Sequence, residues 1–361
     1  MSHRTPMPVR FQQSSLTAQE LEHGDYQMRL TKALTDNGSA ILTKLMKLQD
    51  EGWHDEATDA HFQKQRDTAD NATPQLEAIW FTKMRSLLHE IDLQLRCIPA
   101  EGTIQFLDLG CCPGGFSSYI LSKNIDARGI GISLPVEDGG HAFKLEDQYR
   151  TRHKLFSANL IKYQLGSHIL DDPHLQLLPS EVSNGSFDIV LLDGHQLRTQ
   201  LSAQPGDINR LLISQLIIAL RSVKPGGMII VKLPLPHKPI AAQILYMFNA
   251  ISSRLLRWKP TVLHANRGTF YAVADGVGGD FTGILLSNYV RELQNLWFSL
   301  MYGGEDGAGR SMTIEDLDFI VPVDLIIDHH LDWLAKFGNP LWHVQANALE
   351  RLYKKHIRRY K

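Results

Sequence analysis

Cysteine is scarce in this chain of 361 residues: Cys97, Cys111 and Cys112 are too few and too clustered for a disulfide framework or a four-cysteine zinc site. That usage suits a reducing compartment. Long apolar runs are lacking as well. None approaches the roughly 18 residues of a membrane-spanning helix, and Met1 to Ser15 holds no apolar stretch resembling a signal peptide. The expectation is a soluble, intracellular protein, cytoplasmic or nuclear, with no membrane partner. Neither sign of charge is in excess, since 37 Lys and Arg stand against 39 Asp and Glu for a net charge of −2. This excludes a polycation that coats nucleic acid indiscriminately, so any polyanion must meet a local basic patch. Internal repeats and low-complexity tracts are also absent.

What is present is an ordinary globular composition, 43% hydrophobic and 21% charged, long enough for one large or two ordinary domains of about 150 residues. Met1 to Gln13 carries Pro6 and Pro8 and no period, and then Leu30, Leu34, Ile41, Leu42, Leu45 and Leu48 recur at helical spacing. From Ile104 the pattern changes to short apolar runs: Ile104 to Leu109, Ala127 to Leu134, Phe187 to Leu192, Gly227 to Leu233 and Thr269 to Ala274. Such runs alternating with helical stretches predict a doubly wound α/β domain with a mostly parallel sheet, from near Lys83 to near Gly279. Helical additions are expected on both sides, giving segments 1–80, 81–280 and 281–361. In the last segment Phe281 to Tyr302 reads as a helix, Thr313 with Asp316 as a capping box, and a final helix is expected from about Leu341. It ends in Arg351 to Lys361, with six Lys or Arg and no acid, which is either a solvated helix end or a contact for RNA phosphate.

The most informative segment runs Phe106-Leu-Asp-Leu-Gly-Cys-Cys-Pro-Gly-Gly-Phe-Ser. An apolar strand enters a loop holding Gly110, Gly114 and Gly115, and a helix follows at about Phe116. Glycines allow close backbone approach, and a helix start offers free N–H groups. The dinucleotide fingerprint fails because Cys112 fills its second glycine place, and no Gly-Lys-Ser/Thr phosphate loop is present. A nucleoside ligand without phosphates, such as S-adenosylmethionine, suits this loop. His329-His330 is set aside as a metal site, because adjacent helical residues point about 100° apart, and no metal is expected.

Asp108-Leu-Gly-Cys-Cys-Pro-Gly-Gly-Phe-Ser resembles the first motif of the FtsJ-like ribose 2′-O-methyltransferases. Gly114-Gly-Phe-Ser-Ser-Tyr-Ile-Leu, followed by Gly129-Ile-Gly-Ile-Ser-Leu, is similar to their mRNA-cap branch. The resemblance continues through Phe187-Asp-Ile-Val-Leu-Leu-Asp-Gly194, Val223 to Leu233 and Lys259-Pro260, and covers just over half the chain. It implies a Rossmann-like sheet that binds S-adenosylmethionine, with Gly110, Gly114, Phe116, Ser133, Asn159 and Asp193 at the cofactor. It also implies a lysine, aspartate, lysine, glutamate tetrad in which the second lysine takes the hydroxyl proton. Lys83, Asp193 and Lys232 match its first three members. A lysine titrates near about 10.4, so neighbouring charges must favour the neutral amine.

The fourth member departs from the family. Counted without gaps, Thr269 stands in the glutamate position and His264 in the arginine position of the stretch after Lys259-Pro260. Ser133 and Asn159 likewise stand where acids hold the adenosine. The first expectation is therefore an S-adenosylmethionine-dependent O-methyltransferase acting on a ribose 2′-hydroxyl of RNA. Two alternatives stand beside it: a small-molecule O-methyltransferase on the same fold, and a cofactor-binding or RNA-binding module without catalysis.

Overall fold

The computed structural model describes residues 18–53, 60, 63, 64, 68, 73–184, 186–197, 200, 204, 206–279 and 282–359. Met1 to Gln13 lies outside them, as do residues 360 and 361 of the basic tail and every side chain from residue 355 onward.

Seven strands form one sheet: β1 (Gln105–Leu109), β2 (Arg128–Ser133), β3 (His153–Ser157), β4 (Phe187–Leu192), β5 (Val223–Pro234), β6 (Arg254–Trp258) and β7 (Thr269–Val277). Their order is β3-β2-β1-β4-β5-β7-β6, parallel except for β7, which runs against both β5 and β6. The chain moves outward from β1 to one side and then restarts at β4 on the other. Between these two strands lies the crevice where doubly wound sheets bind ligands. This is the expected α/β class.

The strands alternate their side chains between two buried faces. Leu107, Leu109, Val190, Leu192, Val231, Phe270 and Ala272 join one cluster, while Phe106, Ile189, Leu191, Ile230, Tyr271 and Val273 join the other. The second face is covered by α3 (Pro74–Leu95) and α4 (Gly115–Lys123). Thr73 starts α3 by accepting the Leu76 N–H at 3.3 Å, with Pro74 in the first turn where no N–H is needed. The first face takes α5 (Asp207–Ser222), α6 (Pro239–Ile251), α7 (Gly283–Tyr302), α8 (Val323–His329) and α9 (Leu331–Arg359). The early helices α1 (Ala18–Asp36) and α2 (Ala40–Trp53) join the same cluster through Leu30, Leu34, Leu42 and Leu45.

Three local readings need correction. The last helix starts at Leu331, ten residues before the expected Leu341, and carries Pro340 inside it. Proline cannot donate to the carbonyl four residues back. That carbonyl, on Lys336, instead accepts Arg257 Nη2 of β6 at 3.3 Å. Thr313 does not cap an α-helix: the Asp316 carboxylate accepts the Thr313 N–H at 2.8 Å and opens only a short 3-10 turn, Glu315–Leu317. Strand β6 was not among the expected apolar runs, because as an edge strand it is half exposed and carries Arg254 and Arg257.

Candidate active site

The crevice is shaped first by backbone. Gly110 leaves β1 at φ +79°, and a Cβ there would lie 2.3 Å from the Gly194 Cα, so the turns after β1 and β4 touch main chain to main chain. Gly115 has the same role against α3, where a Cβ would meet the Phe81 carbonyl at 2.6 Å. Beneath the loop, Ser117 Oγ donates to Asp108 Oδ2 at 2.8 Å and lies 3.1 Å from His153 Nε2. Burial pushes Asp108 up to about 7 and His153 down to about 4.

A cleft opens beside this loop. Gly110, Ser133 and Asn159 line it, joined by Cys112, His141 and His195. Gly114, Phe116 and Asp193 are not on its wall. Gly114 starts α4 at φ +107°, and Phe116 is buried with its ring edge toward Tyr271 at 6.0 Å between centroids. Both polar wall residues already serve the protein. Ser133 Oγ accepts the Cys112 N–H at 3.2 Å, and Asn159 Oδ1 accepts the Ile161 N–H at 3.1 Å. Each keeps a donor for a ligand, the serine hydroxyl hydrogen and the asparagine amide.

The cleft abuts the two residues of clearest chemistry. Asp193 is the first residue after β4, and its turn is held by Gln215 of α5, which pairs with both the N–H and the carbonyl of Gly194 at 2.9 and 3.0 Å. Lys232 sits on β5 directly opposite Tyr271 of β7. Its Nζ lies 2.9 Å from Asp193 Oδ1 and donates to the Asp193 carbonyl at 2.7 Å. Tyr271 donates its hydroxyl to the same Oδ1 at 2.6 Å. Burial alone would raise Asp193, but the charges of Lys232 and His195 and the hydrogen bonds from Tyr271 and Lys232 outweigh it, leaving the carboxyl below its usual range. Burial, with the carboxylate beside it, drives the Tyr271 hydroxyl upward, so it stays a donor. His195 is exposed and places Nδ1 at 3.1 Å from Lys232 Nζ, whose charge lowers the imidazole from its usual value.

The structure brings Asp193 and Lys232 together but not Lys83. Lys83 is exposed on α3 and forms no hydrogen bond or ion pair among the described residues. Thr269 begins β7, on the same strand face as Tyr271, and supplies no negative charge. His264 lies near the pair, neutral because burial lowers it to about 3. Its turn, Thr261–His264, is fastened to α3 by Glu90, which accepts the N–H groups of Thr261 and Val262 at 2.9 and 3.1 Å and Trp258 Nε1 at 3.1 Å. The buried Lys259 fixes the other end by donating to the carbonyls of Arg267 and Thr269. Burial brings that lysine down to about 7. Sequence reasoning assigned no role to His195, Tyr271 or Glu90. The one local signal was His195 following Asp193-Gly194 directly.

Comparison with known proteins places this geometry in context. The family model described as FtsJ-like methyltransferase matches residues 85–276. The cap-specific mRNA (nucleoside-2'-O-)-methyltransferase 1 of Bos taurus is 24% identical over 270 residues, covering 69% of this chain and 29% of that protein. Its counterpart in Mus musculus is 25% identical over 292 residues, covering 74% and 31%. The chain thus spans less than a third of the length of these relatives. Among solved structures, a TehB-like SAM-dependent methyltransferase from Corynebacterium glutamicum aligns with a TM-score of 0.30 and 11% identity, over 60% of this chain and 97% of that one.

Proposed function

The chain belongs to the FtsJ-like methyltransferase family, and from that premise we propose that it transfers a methyl group from S-adenosylmethionine to a ribose 2′-hydroxyl of RNA. The observation that carries this reading is the Lys232–Asp193 pair, 2.9 Å apart, at the carboxyl edge of the sheet beside the cleft. The acceptor class is supported by the cap-specific mRNA methyltransferases to which the chain is similar.

Gly110, Ser133 and Asn159 would hold S-adenosylmethionine along the cleft wall, with Gly114 and Phe116 shaping the loop behind them and Asp193 next to the lining residue Gly194. The donors left on Ser133 and Asn159 suit the oxygens and ring nitrogens of a nucleoside. When bound, the cofactor supplies an electrophilic methyl group on a sulfonium. Lys232, as the neutral amine, takes the proton of the acceptor hydroxyl while Asp193 fixes its position, and Tyr271 fixes Asp193 in turn. Lys83 enters the proposal as a contact to the acceptor, because it is exposed on the helix covering this sheet face and pairs with neither catalytic residue. The helical flanks, 1–80 and 281–361, are assigned as additions to the 81–280 catalytic segment.

One observation favours a small-molecule acceptor instead: among the described residues lining the cleft there is no Lys or Arg. A single experiment separates the readings. The protein is incubated with S-adenosylmethionine carrying a labelled methyl group and either a capped transcript or a metabolite extract. Label in a 2′-O-methylnucleoside after nuclease digestion is expected, lost in Lys232→Met and in a transcript with 2′-deoxyribose at the acceptor nucleotide. Label only in a metabolite would move the assignment to the second reading, and no label in either would refute methyl transfer to both classes.

A further inference from the structure

Lys232 Nζ has three directions besides its own carbon chain, and among the described residues three acceptors fill them. They are Asp193 Oδ1 at 2.9 Å, the Asp193 carbonyl at 2.7 Å and His195 Nδ1 at 3.1 Å. An amine acting as a base must aim one of those directions at the hydroxyl it deprotonates. Two of the acceptors are fixed. The carboxylate is tied by Tyr271, and the carbonyl belongs to a turn whose N–H groups at Asp193 and Gly194 both return to the Leu109 carbonyl, at 3.1 and 3.0 Å. The third is different in kind. His195 makes the longest of the three contacts, is exposed, and lies on the cleft wall. Thr269 and His264 bring no carboxylate to the lysine from the opposite side, so an imidazole is the group left to complete its tetrahedron.

We propose that His195 is the positioning residue of Lys232: in the resting site the Lys232 ammonium donates its third N–H to the neutral Nδ1, and once that proton has left to solvent through the cleft the freed lone pair keeps the same direction and takes the acceptor hydroxyl's proton, the place of a lysine-orienting group in a site without the family's glutamate. This rests on the assignment of Lys232 as the base. Nδ1 can accept from Lys232 only in the tautomer that carries its proton on Nε2. The competing arrangement puts the proton on Nδ1 and donates it to the Asp193 carbonyl, 3.3 Å away. The tautomer therefore reports on the pairing without any turnover.

The test has two arms on the full chain. With ¹⁵N-histidine label, long-range ¹H–¹⁵N spectra at pH 7 are expected to show His195, assigned by its loss in His195→Asn, as the Nε2–H tautomer. An Nδ1–H tautomer overturns the proposal whatever the activity. In steady-state methyl transfer to capped RNA, His195→Ala is expected to lower kcat by about 10- to 100-fold, the scale of a misplaced catalytic group, with KM for S-adenosylmethionine within about twofold of wild type. His195→Asn, whose Oδ1 replaces Nδ1 as acceptor, is expected to recover most of that loss. A change in KM alone, or equal loss in both variants, also overturns it. If the wild type methylates no RNA, the functional reading fails, and the tautomer still decides the Lys232–His195 pairing.

Discussion

Replacing Lys232 by methionine tests the proposed catalytic pair through stability as well as rate. Asp193 is 6% exposed, and its Oδ1 is shared by Lys232 and Tyr271. With the ammonium gone, the carboxylate keeps one hydrogen bond and loses its counter-charge. Breaking a buried pair from one side typically costs about 3–5 kcal/mol, whereas removing both charges is often close to neutral. The Lys232 side chain retains 16% of its surface, which places the single variant at the lower end, about 3 kcal/mol. Lys232→Met combined with Asp193→Asn should regain at least half of that, since an uncharged amide can still accept from Tyr271. Urea unfolding of the wild type, both single variants and the double variant measures the cycle, and methyl transfer is followed on the same samples. Activity should be absent in the double variant even as stability returns, because the proposed base is gone. A single-variant loss below about 1 kcal/mol, or a double variant no more stable than Lys232→Met, would show that the pair is not coupled as described.

Three further outcomes follow from the surroundings of the site. Gly110→Ala puts a Cβ into the Gly194 main chain at a left-handed φ, so a loss of at least about 2 kcal/mol in urea unfolding is expected, with cofactor binding by calorimetry abolished. Glu90→Ala removes the acceptor for two N–H groups at the start of the 261–264 turn. A loss of about 1–2 kcal/mol in thermal unfolding is expected, and an unchanged melting temperature would refute the clamp. Asp108 bears on pH. Its folded pKa of about 7 lies above the ordinary 3.8, so between these values the folded chain keeps a proton that the unfolded chain has lost, and stability falls as pH rises through that window. Asp108→Asn lacks this slope and should gain on the wild type by up to about 1.4 kcal/mol per pH unit from pH 5 to 7. Parallel stability profiles would contradict a neutral Asp108. The half-buried His153 acts with the opposite sign, losing stability as pH falls below 6.5, and is common to both proteins.

The sheet was legible wherever strands are buried on both faces, because runs such as Phe187 to Leu192 are apolar along almost their whole length. It was less legible at the edge. β6 has a solvated neighbourhood and mixed composition, and Pro340 concealed ten residues of α9 because its missing hydrogen bond is made good by Arg257, eighty-three positions earlier. The same limit applied to the site. Asp193 and Lys232 betray themselves as charges at the ends of apolar strands. Tyr271 had no such mark, since its partner lies 78 residues away and tyrosine in a strand is ordinary. Lys83 was assigned from the family pattern alone, and a helix position fixes the direction of a side chain without fixing its reach.

Strand β7 runs against its neighbours, so its opening residues, not its closing ones, reach the edge of the sheet where Asp193 stands. One side of the Asp193–Lys232 site is therefore hung from the chain that precedes a strand, anchored at its two ends by Glu90 and Lys259. Such a span can be rewritten between its anchors without altering strand order or core packing. A chain built this way can exchange an acid at position 269 for threonine, or an arginine at 264 for histidine, and revise its choice of acceptor while the scaffold beneath stays the same.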